Sequence, residues 1–224
     1  MLTDWLAGQS WGTSSRRGYR SALRSFYTWG AAEGYAQSDP TRALLPIAPP
    51  LPKPRPAPMV AVEVALEVED WRVRIAVRLA VELGMRRGEV AACHSDDLER
   101  DLVGWSLHVH GKGNRDRRLP VPDDLASAIQ RCGAGYLLPG RINGHLSPRW
   151  IGKLVAKALP GAWTMHTLRH RFATDVHTLT RDLAVTQDLL GHASPVTTRA
   201  YVQVPDERLR AAVNAVAVAR AEAA

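Results

Sequence analysis

Between residues 14 and 33, Tyr19, Leu23 and Phe26 recur at helical spacing, while Arg16, Arg20 and Arg24 step along another face every fourth residue. This pattern predicts a helix with an apolar stripe opposite a basic one. Gly18 and Gly30 work against it, each costing about 1 kcal/mol relative to Ala. Helical periodicity returns from Val62 to Leu83, with a break at Glu69–Asp70 and Gly84 as a stop signal. The period then shortens to two: Trp105, Leu107 and Val109 alternate with Ser106, His108 and His110. A second run, Arg117 to Val121, follows the turn residues Gly111-Lys112-Gly113-Asn114, so the pair reads as a β-hairpin. From Asp123 onward helices are predicted near 123–132, 147–158, 166–178, 181–190, 195–203 and 205–222, with Gly191 and Pro195 as stop and start. The fold class is therefore mainly α with a small antiparallel β-sheet (α+β).

One segment fits neither period. Residues 46–58, PIAPPLPKPRPAP, carry too many prolines for a helix or a central strand and should run extended. They read as a semi-rigid linker. The linker divides a short helical segment, 1–45, from a larger domain, 59–224, with the boundary near Ala57. Pro205 to Ala224 reads as a helix that docks either on its own domain or on a neighbouring protomer.

Composition narrows the classes. Of 224 residues 46% are hydrophobic, enough for a sizeable core. Lys and Arg total 29 against 22 Asp and Glu, a net charge of +7. That excess favours a polyanionic partner, through counterion release, or describes a merely basic soluble protein. Cys93 and Cys132 stand far apart with no C-x-x-C pair, so neither a disulfide framework nor a zinc knuckle is indicated. No apolar run approaches the roughly 20 residues of a membrane helix. The N-terminus lacks a basic-then-apolar secretory pattern. A cytoplasmic protein without a membrane partner is expected.

Four short segments carry candidate chemistry. In Gly84-Met85-Arg86-Arg87-Gly88-Glu89 an arginine just past a helix break can offer its fork to a phosphate, or can form a surface ion pair with Glu89. In Gly111-Lys112-Gly113 glycines flank a mobile proton donor, although an ordinary polar turn has the same look; the P-loop pattern fails because residue 106 is Ser and residue 113 is Gly. In His166-Thr167-Leu168-Arg169-His170 three polar groups share one helix face. The zinc-protease motif needs Glu where Thr167 stands, and no third ligand is apparent. The last segment, Leu189-Leu190-Gly191-His192, is followed by Tyr201 nine positions later.

Taken in this order and spacing, the four segments resemble the tyrosine recombinase (phage integrase) family over roughly residues 60–205. Arg86 matches the family's first arginine within G-[LM]-R-x-x-E. Lys112 matches the hairpin lysine within GKG-N-x-x-R-x-x-P. His166, Arg169 and His170 match the H-x-L-R-H box, His192 the histidine of L-G-H, and Tyr201 the nucleophile. The resemblance implies attack by the Tyr201 hydroxyl on a phosphodiester, leaving a 3′-phosphotyrosine and a free 5′-hydroxyl. It makes Arg86 and Arg169 the clamps on the phosphate and Lys112 the acid for the departing oxygen. His166 becomes the base or hydrogen-bond partner, and His192 a donor to a nonbridging oxygen. His170 is expected to support rather than to touch substrate.

No cofactor or metal is expected, since the covalent link conserves the phosphodiester's energy. The implied partner is double-stranded DNA, with a homotetramer on paired sites and an accessory directionality protein, in a bacterial or phage-encoded setting. Arg16, Arg20 and Arg24, and Lys53 and Arg55 in the linker, are the candidate contacts to DNA phosphates. The family carries a complete helical DNA-binding domain ahead of the catalytic one, and residues 1–45 read as its latter half. Two alternatives share these residues: a noncatalytic DNA-binding remnant, and a type IB topoisomerase-like relaxing enzyme.

Overall fold

The computed structural model describes residues 2–49, 55–111 and 116–191. The chain forms two units, Met1–Pro52 and Lys53–Ala224. Lys53, Lys112, His192, Tyr201 and the helices expected at 195–203 and 205–222 lie outside the described residues.

In the first unit α1 (Leu2–Ala7) precedes a long helix, α2 (Thr13–Ala32), and a 3-10 turn, Pro40–Ala43. The helix stands where the periodicity placed it, but its two stripes do not divide into a buried and an exposed face as expected. Tyr19, Phe26 and Trp29 are exposed, whereas Arg16, Arg20 and Leu23 are half-buried and Gly30 is buried. The cause is a polar contact that periodicity does not register: Arg20 Nη2 donates to the Leu44 carbonyl at 2.7 Å. The arginine side thus packs inward along its aliphatic stem. The exposed aromatics stack among themselves, Trp11 on Tyr19 at 4.0 Å and Trp29 on Tyr35 at 5.3 Å between ring centres.

The second unit begins with α3 (Met59–Leu66) and α4 (Trp71–Glu82), parted at the expected break, where Asp70 caps α4 by accepting from Arg72 N. The α5 helix (Arg87–Ala92) and a 3-10 turn, Ser95–Asp97, lead into an antiparallel sheet of β1 (Leu98–Arg100), β2 (Trp105–Val109) and β3 (Arg117–Val121), in that order. Leu107 faces Leu119 across the ladder and both are buried, while the pair His108–Arg118 looks outward. β1 has only three residues, too few for a period to be visible. Then come α6 (Asp123–Gln130), a short strand β4 (Pro139–Ile142), α7 (Pro148–Ala158), α8 (Met165–Thr180) and α9 (Leu183–Leu190). Asp182 caps α9 through the amides of Ala184 and Val185, and Gly191 ends it in the left-handed region at φ 61°. One core joins α4, the sheet, α6, α7 and α8 through Leu79, Leu107, Leu125, Ile129, Val155 and Leu168, all fully buried.

The Pro-rich segment is not free along its whole length. Ala57 is completely buried, and its amide donates to the Thr167 carbonyl of α8 at 3.0 Å.

Glu89 couples α5 to the sheet. It is 8% exposed and takes both outer nitrogens of Arg117 at 3.0 and 2.9 Å, together with the Arg86 amide at 2.7 Å and Arg86 Nη1 at 2.8 Å. The surface ion pair considered for Arg86 and Glu89 is therefore replaced by a buried three-residue cluster, because β3 supplies a second guanidinium. Burial alone pushes the Glu89 carboxyl up. The Arg117 hydrogen bonds and charge, with the Arg86 donors, outweigh burial and bring it to about 2 from an ordinary 4.5.

Two expectations follow. The Glu89 pKa lies below its unfolded value, so its stabilisation is present above about pH 4.5 and is lost as pH falls toward 2. Glu89→Gln should cost about 3 kcal/mol at pH 7, and the gap to the parent should close with acidification in chemical denaturation run at several pH values; a pH-independent gap would refute the assignment. Gly84 has φ 63°, and a Cβ there would meet Phe172 Cδ1 at 2.4 Å. Gly84→Ala should lower stability by about 2–4 kcal/mol, and Phe172→Leu in the same chain should return part of it.

Candidate active site

Arg86 lies at the start of α5, held where the chain turns out of Gly84. Its Nη1 is occupied by Glu89 and its Nη2 donates to the Gly191 carbonyl at 3.3 Å, while the side chain as a whole stays 44% exposed. Arg169, on α8, is only 3% exposed; its Nη1 donates to the Gly84 carbonyl and its Nη2 to the Leu190 carbonyl at 2.7 Å. Arg117 Nε reaches the Leu189 carbonyl at 3.2 Å. Three guanidinium groups from α5, β3 and α8 therefore take three consecutive carbonyls at the end of α9. A helix C-terminus carries partial negative charge and unsatisfied carbonyls, so cations are stabilised there.

The two histidines of α8 form a chain of hydrogen bonds. The Arg55 amide donates to His170 Nδ1 at 3.2 Å, and His170 Nε2 lies 2.9 Å from His166 Nε2. An amide can only donate, so His170 Nδ1 is the acceptor and a neutral His170 carries its proton on Nε2. His166 Nε2 is then the acceptor, and a neutral His166 holds its proton on Nδ1. Burial is the main reason that His170 is lowered to about 4, with His166 and Arg169 adding to it. Burial, then Arg169, lowers His166 as well. Both rings are therefore neutral at pH 7. The supporting position foreseen for His170 agrees with these bonds.

Arg86, His166 and Arg169 line one open cleft of about 850 Å³. Arg87, Arg149 and Lys153 line it too, and among the described residues its walls include no carboxylate. Sequence reasoning missed these three. Arg149 and Lys153 share a face of α7 at i, i+4 spacing, a signal present in the sequence but common on solvated helices. Arg87 lies over Gly152, where a Cβ would come within 2.9 Å of its Cδ, so glycine lets this arginine cross α7.

The other sequence candidates are dispersed. Arg16 and Arg20 are half-buried within the first unit and Arg24 is exposed there. Arg55, far from being an unattached linker cation, lies over the Trp163 ring at 4.8 Å. Among the described residues no helix is long and apolar enough to cross a membrane.

The sequence profile of the phage integrase family matches residues 59–208. A tyrosine recombinase XerC of Azotobacter vinelandii is 33% identical over 213 residues, covering 85% of this chain and 70% of that protein. A tyrosine recombinase XerD of Caulobacter vibrioides is 32% identical over 231 residues, covering 90% and 74%. The fold resembles that of XerH site-specific recombinase bound to its palindromic difH substrate, with a TM-score of 0.74 at 20% identity over 95% of this chain and 68% of that one. The ordered arginines, the histidine pair and these similarities agree, and the chain belongs to the phage integrase family of tyrosine-type site-specific recombinases.

Proposed function

We propose that this chain cleaves and rejoins double-stranded DNA at specific sites, with Tyr201 as the nucleophile and a 3′-phosphotyrosine as the intermediate. The observation that carries the reading is the convergence of Arg86, His166 and Arg169 on one cationic cleft whose walls, among the described residues, hold no carboxylate. Such a cleft attracts a phosphodiester and stabilises the charge that gathers on its nonbridging oxygens during transfer.

Each step assigns work to a named group. The Tyr201 oxygen attacks phosphorus, the bond to the 5′-oxygen breaks, and Lys112 gives that oxygen its proton. A phenol with a pKa near 10 is protonated at pH 7 and passes its proton to a nonbridging phosphate oxygen or to water as it attacks. His166 has its Nε2 lone pair taken by His170, and as a neutral ring lining the cleft it suits a hydrogen-bonding partner of the phosphate more than a base. His192, the residue after Gly191, supplies a further donor. The carbonyl grip on residues 189–191 supports this role, because it anchors the chain one residue before His192. Reversal by a new 5′-hydroxyl regenerates the tyrosine and completes exchange without an external energy source.

Residues 1–45 contribute to the grip on the duplex, with Arg24 the exposed one of Arg16, Arg20 and Arg24. Arg87, Arg149 and Lys153 extend the cationic track beside the cleft. Strand exchange between two sites, each bound by two copies, calls for a homotetramer. The palindromic difH substrate bound by XerH supports a site of two-fold symmetry.

Tyr201→Phe should abolish the covalent adduct with suicide-nicked site DNA on denaturing gels and leave affinity within about twofold. Adduct persisting in that variant would refute Tyr201 as the nucleophile, whereas tight binding without adduct by the parent chain would support a noncatalytic remnant. Lys112→Ala should slow cleavage by about 10²–10⁴-fold on ordinary DNA. The loss should be far smaller on DNA with a 5′-bridging sulfur, whose thiolate leaves without a proton. Equal slowing on both substrates would remove Lys112 from the role of acid.

A further inference from the structure

Away from the cleft, the root of the β2–β3 connection gathers a second set of polar groups. His108 lies on the outward face of β2, and His110 follows two residues later, on the same side by the period of a strand. The β1–β2 register pairs Leu98 with Leu107, so Asp97, one residue before β1, stands across from His108. Asp97, His108 and His110 each place one ligand atom within 4.8 Å of the others. A cavity of about 10 Å³ opens among them, beside Cys93 and Glu89. That is roughly the room one water-sized particle requires.

The groups are already oriented. Asp97 Oδ2 accepts from the His94 amide at 2.9 Å, which turns Oδ1 onto His110 Nε2 at 3.0 Å. The other ring nitrogen of His110 faces Asp116 Oδ2 at 3.5 Å, and Asp116 Oδ1 is itself fixed by the Gly111 amide at 3.1 Å. An imidazole that offers one nitrogen to a site and turns the other toward a carboxylate is the usual arrangement of a metal-bound histidine.

We propose that Asp97, His108 and His110 form a binding site for a divalent first-row transition cation such as Zn²⁺, with Asp116 orienting His110. Two imidazoles and a carboxylate suit Zn²⁺, Co²⁺ or Ni²⁺ and are too nitrogen-rich for Mg²⁺ or Ca²⁺. With bonds of about 2.0–2.1 Å a tetrahedral ion holds its ligands roughly 3.4 Å apart, a contraction of little over about 1 Å from the widest spacing here. His110, with its side chain 53% exposed, has the freedom to supply that movement. The fourth position is left to water. The ion takes no part in phosphoryl transfer. It ties β2 to the turn before β1, two residues ahead of Lys112, and so steadies the base of the segment that carries the proposed acid.

The test uses the tag-free, metal-stripped full chain titrated with ZnCl₂ against a chromophoric chelator, and with CoCl₂ for its visible absorption. One equivalent should bind, with the intense d–d bands of four-coordinate Co²⁺, and Zn²⁺ should raise the melting temperature. His110→Ala and His108→Ala should each weaken binding by at least tenfold, and Asp116→Asn by about 10–100-fold. Melting curves without metal check that each variant is folded. His110, which is mostly exposed, decides the question alone if His108→Ala proves unstable. Absence of stoichiometric binding would overturn the site. So would binding that survives both histidine variants and is lost in His166→Ala, since that outcome would move the ion to the His166–His170 pair.

Discussion

The end of α9 is where this structure is tied together. Arg117, Arg169 and Arg86 reach the carbonyls of Leu189, Leu190 and Gly191 in turn, from three elements distant in sequence. A helix ending in a left-handed glycine exposes its last carbonyls, and here guanidinium groups take the place that water would fill. Gly191 is required twice over. Its φ of 61° suits a residue without a side chain, and a Cβ would press on Arg117 Cδ at 2.9 Å. If this junction were loosened, Arg86 and Arg169 would lose their orientation together.

Gathering so many cations has an electrostatic cost, and the structure meets it unevenly. Glu89 is buried and neutralises charge on the side of Arg117 and Arg86 that faces the protein, while the cleft side is lined by Arg87, Arg149, Lys153 and Arg169 and, among the described residues, by no carboxylate. Placing the counter-charge behind the arginines fixes their forks without cancelling the field in front of them. The two neutral histidines follow the same logic. Burial, then Arg169, lowers His166, so it lines the cleft without adding a further cation.

Much of this was legible in the sequence, for physical reasons that differ from element to element. The hairpin and the break at Glu69–Asp70 were readable because strict alternation and an N-cap aspartate are local signals. Of the four chemical segments, those holding Arg86 and His166–His170 were readable from a turn end and a helix face, while Lys112, His192 and Tyr201 lie outside the described residues. The faces of α2 were not, since Arg20 packs inward to reach Leu44, a partner 24 residues away. Nor was the fate of Glu89, whose second arginine arrives from β3, 28 residues on. Periodicity reports which side of a helix is apolar and says nothing of which polar group a distant carbonyl will claim. Arg149 and Lys153 were overlooked for a related reason: a basic pair at i, i+4 acquires meaning only when α7 packs beside α5 and α8.

The same view explains how the two ends of residues 112–115 are held. Gly111 and Asp116, the residues flanking 112–115, are joined by the Gly111 amide and Asp116 Oδ1 at 3.1 Å. Beyond Asp116 the chain is anchored at once, because Arg117 is locked onto Glu89 and the Leu189 carbonyl. Before Gly111 it is anchored by His110 on Asp97. Lys112 is thus tethered a single residue from a closed neck. The anchors of that neck include Glu89, the same carboxylate that orients Arg86. The two ends of residues 112–115 and the Arg86 side chain are thus referred to one buried charge.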